Sequence, residues 1–125
     1  KLPPCEMIGL DERMLPTGKR YPFDDFAEGR PINTAVLDNG FALVDPGEGR
    51  FEVEVQGPAG RLHYWQQTGR HRFNFIQVFT PPYRTSLAIE PMTCNVDAFN
   101  NGDGLIRLAP GQTTAVRWGV GWERV

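Results

Sequence analysis

The chain has 125 residues with 13 Lys and Arg against 15 Asp and Glu, a formal charge of −2, and 40% hydrophobic side chains. That is enough for one domain with a real core and no disulfide staple. The basic residues are scattered singly among acids, which excludes the clustered positive charge that nucleic acid or an anionic membrane surface requires.

In chain order, Lys1-Leu2-Pro3-Pro4-Cys5 opens without Met, as expected of a chain that begins inside a longer gene product. Residues 1–20 are Pro-rich and are expected to form an irregular lead-in to a single domain spanning 1–125. Cys5 and Cys94 lie far apart with no CxxC spacing. They read as free thiols in a reducing cytoplasm rather than as a disulfide framework or a zinc site. No apolar run approaches the ~20 residues of a membrane span, and no signal peptide is visible.

Fourteen Gly and 11 Pro interrupt nearly every window in which a helix could grow, since Pro costs about 3 and Gly about 1 kcal/mol in a helix interior. The remaining stretches have strand length and alternate. Strands are expected at Ala42–Val44, at Phe51–Val55 with Phe51, Val53 and Val55 on one face, and at Leu62–Gln66. Phe73–Phe79 is apolar on both faces, so it belongs inside a sheet. Ser86–Glu90, Leu105–Leu108 and Thr113–Val120 complete the set. Asp45-Pro46-Gly47, Gly57-Pro58, Pro81-Pro82, Asn100-Asn101-Gly102 and Pro110-Gly111 supply turn chemistry between them. Short strands at regular spacing predict an all-β, antiparallel β-sandwich or barrel.

One segment carries chemistry. In Leu87-Ala88-Ile89-Glu90-Pro91-Met92 the alternation puts Glu90 at the end of a largely apolar strand that Pro91 is expected to close. A carboxylate in such a partly desolvated place suits a general base, although the pattern taken alone favours a carboxylate turned to solvent. Two His and two Cys show no ligand spacing, Ser86 lacks a nucleophile-elbow context, and the glycines lack the strand–loop–helix setting of a phosphate cradle.

Several strings nevertheless occur together in a telling order. Leu15-Pro16-Thr17-Gly18, Pro22-Phe23-Asp24, Leu37-Asp38-Asn39-Gly40-Phe41, Ile76-Gln77-Val78-Phe79-Thr80, Ile89-Glu90-Pro91-Met92-Thr93, Asp97-Ala98-Phe99-Asn100 and Gly104-Leu105-Ile106 to Pro110-Gly111 follow one another. From about residue 11 onward the chain resembles the C-terminal half of an aldose 1-epimerase (galactose mutarotase). The resemblance implies a β-sandwich of the galactose mutarotase-like type, whose final strand pair would fall at 104–111. It implies an isomerase that interconverts the anomers of a free aldohexose, needing no metal or other cofactor. Glu90 matches the base that takes the anomeric proton. Asp38 matches an Asp that holds sugar hydroxyls, and Gln77 lies on the strand lining the sugar pocket. Trp65 is a further aromatic face on which a sugar could stack.

The chain departs from that pattern in one respect. The family's proton-donating His belongs to the N-terminal half, and neither His63 nor His71 matches it. The chain alone is therefore expected to be inactive. It is also expected to associate, with its own N-terminal half or with itself, through open sheet edges and an apolar face that includes Phe73, Phe75, Ile76 and Val78. The alternative from a different class is a non-catalytic carbohydrate-binding or structural β-sandwich module.

Overall fold

The computed structural model describes all 125 residues. Most of the alternating segments form strands, and two further strands precede them: β1 (Cys5–Leu10), β2 (Pro16–Phe23), β3 (Asp38–Leu43), β4 (Gly49–Gly57), β5 (Gly60–Thr68), β6 (Phe75–Phe79), β7 (Ala88–Met92) and β8 (Trp118–Glu123), with one helical turn, α1 (Ala98–Asn101), between the last two. The strands make a five-stranded sheet in the order β2-β1-β3-β6-β7 and a three-stranded sheet in the order β4-β5-β8. Every pairing is antiparallel.

The two sheets stack face to face over one core, so the architecture is sandwich-like. Phe41, Leu43, Ile76 and Val78 of the larger sheet pack with Val53 and Tyr64 of the smaller one, joined by Leu2, Cys5, Phe26 and Leu37. The even-numbered positions of β3 and the odd-numbered ones of β6 point the other way, where Ala42 and Phe75 form a small cluster with Ile8. β6 is therefore apolar on both faces because it lies inside the sheet, between β3 and β7.

Four expectations need correction. Residues 1–20 are not an irregular lead-in: β1 lies inside the larger sheet, between β2 and β3, and β2 forms its edge. The Pro-rich opening hides this strand because the prolines stop at Pro4, one residue before the ladder begins. Leu105–Leu108 is not a strand, so the final strand pair at 104–111 is absent, and Thr113–Val120 gives way to a strand beginning only at Trp118. Alternation is not sufficient here, because no neighbouring strand runs alongside 105–116 to take up its backbone groups. Finally, Phe73, Phe75, Ile76 and Val78 do not form an uncovered face. They are 9%, 5%, 0% and 5% exposed, because the smaller sheet covers Ile76 and Val78 while the 93–104 loop covers Phe75.

That loop is fastened to the larger sheet. Asp103 accepts hydrogen bonds from Arg20 of β2 at 2.8 and 3.0 Å and from Asn95 at 2.9 Å. Gly104, at φ +73°, passes so close over Phe75 that a Cβ would lie 2.6 Å from the ring.

Both cysteines are free thiols. Cys5 is buried, and burial first, then the charge of Glu6, pushes its thiol up to about 12 from an ordinary value near 9. The folded state therefore keeps a proton that the unfolded chain loses as pH rises above about 9. The stabilisation is fully present below pH 9 and is lost towards pH 12. Urea midpoints measured from pH 7 to 11 should fall in the wild type above pH 9. The fall should be shallower in Cys5→Ala; equal slopes would remove Cys5 from the alkaline transition.

Candidate functional site

Asp38, Gln77 and Glu90 come from three segments spread over 53 positions of the sequence, and the antiparallel register brings them onto one face. Gln77 of β6 lies directly opposite Glu90 of β7, and opposite Gly40 of β3 on its other side. Asp38 shares the face of Gly40, two residues earlier on β3. This is the outer face of the larger sheet, turned away from the core. Gln77 Nε2 donates to Asp38 Oδ1 at 3.3 Å.

Local features fix each position. Asp38 follows Leu37, whose N–H donates to Thr80 Oγ1 at 2.8 Å and whose carbonyl accepts from the Thr80 N–H at 2.8 Å. This buried clamp continues the β3–β6 pairing one residue beyond Asp38 and sets its carboxylate at the mouth of the sheet. Gly40 lies beneath the Gln77 side chain where it crosses β3: a Cβ there would rest in ordinary contact with Gln77 Oε1 and Ile8 Cδ1, both at 3.4 Å. Gly40 is a site feature that residue types alone do not announce, although it stands in the string Asp38-Asn39-Gly40-Phe41.

Glu90 departs from its expected setting in two ways. It is the middle residue of β7 rather than the last, since pairing continues through Pro91 and Met92. β7 is an edge strand, and a proline is tolerated there because an edge strand leaves alternate N–H groups outside the ladder. Glu90 is also exposed rather than partly desolvated. The chain's ion pairs are made by other carboxylates, those of Glu6, Asp25, Glu54, Asp103 and Glu123, so Glu90 is open to an incoming ligand.

The surroundings divide the outer face into two parts. Towards Phe75 and Met92 it is sealed by the 93–104 loop. Towards Phe79 and Ala88, which share the face and are half-buried, it is open. Beside Asp38, a cavity of about 570 Å³ lies at the ends of β1 and β2, with Leu10, Met14, Thr17, Lys19 and Val36 among its lining. That volume falls in the ~300–1,000 Å³ range of small-molecule sites. A second cavity of about 320 Å³ lies between the sheets, lined mainly by apolar residues such as Leu37, Val53, Val78 and Ile89. It opens on the opposite face of the larger sheet from Glu90 and Gln77, and is a gap in the core edge.

Comparison with family models, with curated proteins and with solved structures finds no match to this chain. The geometry is what bears on function.

Neither histidine joins the cluster. His63 projects from the outer face of the smaller sheet, where it lies 3.5 Å from Glu123 and 4.0 Å from Glu54, on the far side of the sandwich from Glu90. His71 occupies an exposed turn at φ 56°. Trp65 likewise lies on the outer face of the smaller sheet, with the Arg50 guanidinium 3.9 Å above its ring centre. It is therefore not a stacking face for a sugar held at Asp38 and Glu90, and Phe79 is the aromatic side chain on the open part of that face. No cluster of three His, Cys, Asp or Glu side chains is placed to hold a metal ion, and no helix is long and apolar enough to cross a membrane.

Proposed function

We propose that the chain is the base-carrying half of an aldose 1-epimerase, with a sandwich of the galactose mutarotase-like type, acting on a free aldohexose in the cytoplasm. The observation that supports this reading is the convergence of Asp38, Gln77 and Glu90 on one open sheet face. Three residues picked out by resemblance from separate parts of the sequence need not have met. In this reading Asp38 and Gln77 hold sugar hydroxyls: the carboxylate accepts, and the amide both donates and accepts. Phe79 and Ala88 give the apolar side of the ring a surface to rest on.

Glu90 then takes the proton from the anomeric hydroxyl. The electron pair left on that oxygen forms the carbonyl, the bond from the anomeric carbon to the ring oxygen breaks, and the ring oxygen needs a proton. The chain offers no His at this face to give it, so the donor is assigned to the N-terminal half, the chain's partner in this reading. On reclosure at the other face of the carbonyl the ring oxygen gives its proton back to that donor, Glu90 returns its proton to the anomeric oxygen, and the opposite anomer results. A carbohydrate-binding module without turnover would use the same Asp38 and Gln77 contacts but would not need Glu90.

Titration of the 125-residue chain with D-galactose or D-glucose, followed by amide chemical shifts, tests the placement. Saturable shifts are expected around Asp38–Gly40, Gln77 and Glu90. Asp38→Ala should weaken binding about tenfold, as loss of hydrogen bonds to a charged group does. Shifts confined to the smaller sheet, or none, would contradict the placement.

A further inference from the structure

The smaller sheet ends in a strand that no part of the chain covers. Trp118, Val120 and Trp122 of β8 pair with Gln66, Tyr64 and Leu62 of β5, so they belong to the core-facing side of the sheet. They are nevertheless 52%, 57% and 62% exposed, because β8 overhangs the larger sheet. The strand is also open along its backbone. β8 bonds to β5 on one side only and stands at the sheet's edge, whereas the opposite edge, β4, exchanges hydrogen bonds with Lys1 through Glu54. Natural edge strands are usually guarded by a central charge, a proline or a bulge. β8 has none of these between its ends.

Its sequence is self-complementary. Arg117-Trp118-Gly119-Val120-Gly121-Trp122-Glu123 reads the same in both directions around Val120, apart from the end residues, which carry opposite charge. We infer that β8 is a homodimer interface, pairing antiparallel with β8 of a second copy about a two-fold axis through Val120.

In that register each Trp118 faces the second copy's Trp122, Gly119 faces Gly121, and each Arg117 faces the opposite Glu123. A two-fold axis requires this kind of self-matching patch. The two three-stranded sheets become one six-stranded sheet, and the four tryptophans form a continuous apolar surface on its inner side. Cross-strand aromatic and opposite-charge pairs are both favourable in antiparallel ladders. Gly119 and Gly121 place no side chains on the other face. Glu123 already lies near Arg61 and His63 of its own chain, at 3.8 and 3.5 Å, and its exposed carboxylate can accept from Arg117 of the second copy as well. The Asp38–Gln77–Glu90 face belongs to the other sheet, so the pairing leaves it open and does not depend on what it binds.

Sedimentation of the 125-residue chain across a concentration series tests the pairing. The wild type is expected to form dimers. Val120→Lys, which sets two ammonium groups against each other at the axis, is expected to be monomeric with an unchanged circular dichroism spectrum. Arg117→Glu and Glu123→Arg each place like charges opposite each other at both ends, and each should weaken self-association at least about tenfold. Mixed in equal amounts, the two variants have complementary ends throughout, so a heterodimer of wild-type strength is expected. The mixture keeps the test decisive even if Val120→Lys does not fold. Any of three results would overturn the inference: a wild-type monomer at every concentration, including one that binds only a separate N-terminal half; a dimer indifferent to Val120→Lys; or single variants whose weakness the mixture does not relieve.

Discussion

Gln66→Leu should be strongly destabilising although it introduces an apolar side chain into the core, lowering the unfolding free energy by about 3–5 kcal/mol. Gln66 is fully buried on the inner face of β5. Its Oε1 accepts from the Tyr64 hydroxyl at 2.7 Å, and its Nε2 donates to the carbonyls of Phe73 and Phe75 at 2.8 and 2.9 Å. One side chain thus ties the smaller sheet to the start of β6, where the backbone crosses to the larger sheet. Leucine has similar volume but takes away the acceptor of one buried hydroxyl and a donor from each of two carbonyls, and a buried group left unsatisfied costs about 1–3 kcal/mol. Tyr64→Phe removes a single donor, so its cost should be lower, about 1–2 kcal/mol. Marginal stability of about 5–15 kcal/mol makes the larger loss visible as a shift in denaturant midpoint. A Gln66→Leu variant within 1 kcal/mol of wild type, or one less damaged than Tyr64→Phe, would contradict this role.

Gln66 also marks where sequence reading stops. The alternation of Phe51, Val53 and Val55 is legible because one face of β4 is buried, and β6 is legible because both of its faces are. Gln66 looks like any polar strand residue, because its value lies in two carbonyls presented by a crossover segment. β1 was obscured by Pro3 and Pro4, which end just before it. Leu105–Leu108 reads as a strand but has no partner, and partnership is a property of the assembled sheet. The positions of Asp38, Gln77 and Glu90 came from resemblance, while their meeting on one face depends on the β3–β6 and β6–β7 registers. Gly40, over which Gln77 reaches Asp38, gains its place in the cluster only when those registers are known.

Glu90→Gln carries the largest expected effect on activity. The amide keeps the size and shape of the side chain and adds no charge to a position already exposed, so folding and sugar affinity should stay within a few-fold. What it loses is the ability to take a proton. A positioned general base typically contributes ~10²–10⁴-fold, so the loss should fall in the rate and spare binding. Asp38→Ala should do the reverse and weaken affinity first. This opposition separates the epimerase reading from the binding-module reading, in which Glu90→Gln changes nothing of consequence.

The chain alone is expected to leave mutarotation near the buffer rate, since ring opening without a proton donor must expel the ring oxygen as an alkoxide. The decisive measurement is therefore polarimetry of α-D-galactose or α-D-glucose with this chain supplemented by the N-terminal half of an aldose 1-epimerase. The account predicts accelerated mutarotation with the wild-type chain and a rate at least ~10²-fold lower with Glu90→Gln. An accelerated rate that Glu90→Gln leaves unchanged, or no acceleration from a pair shown to associate, would contradict it.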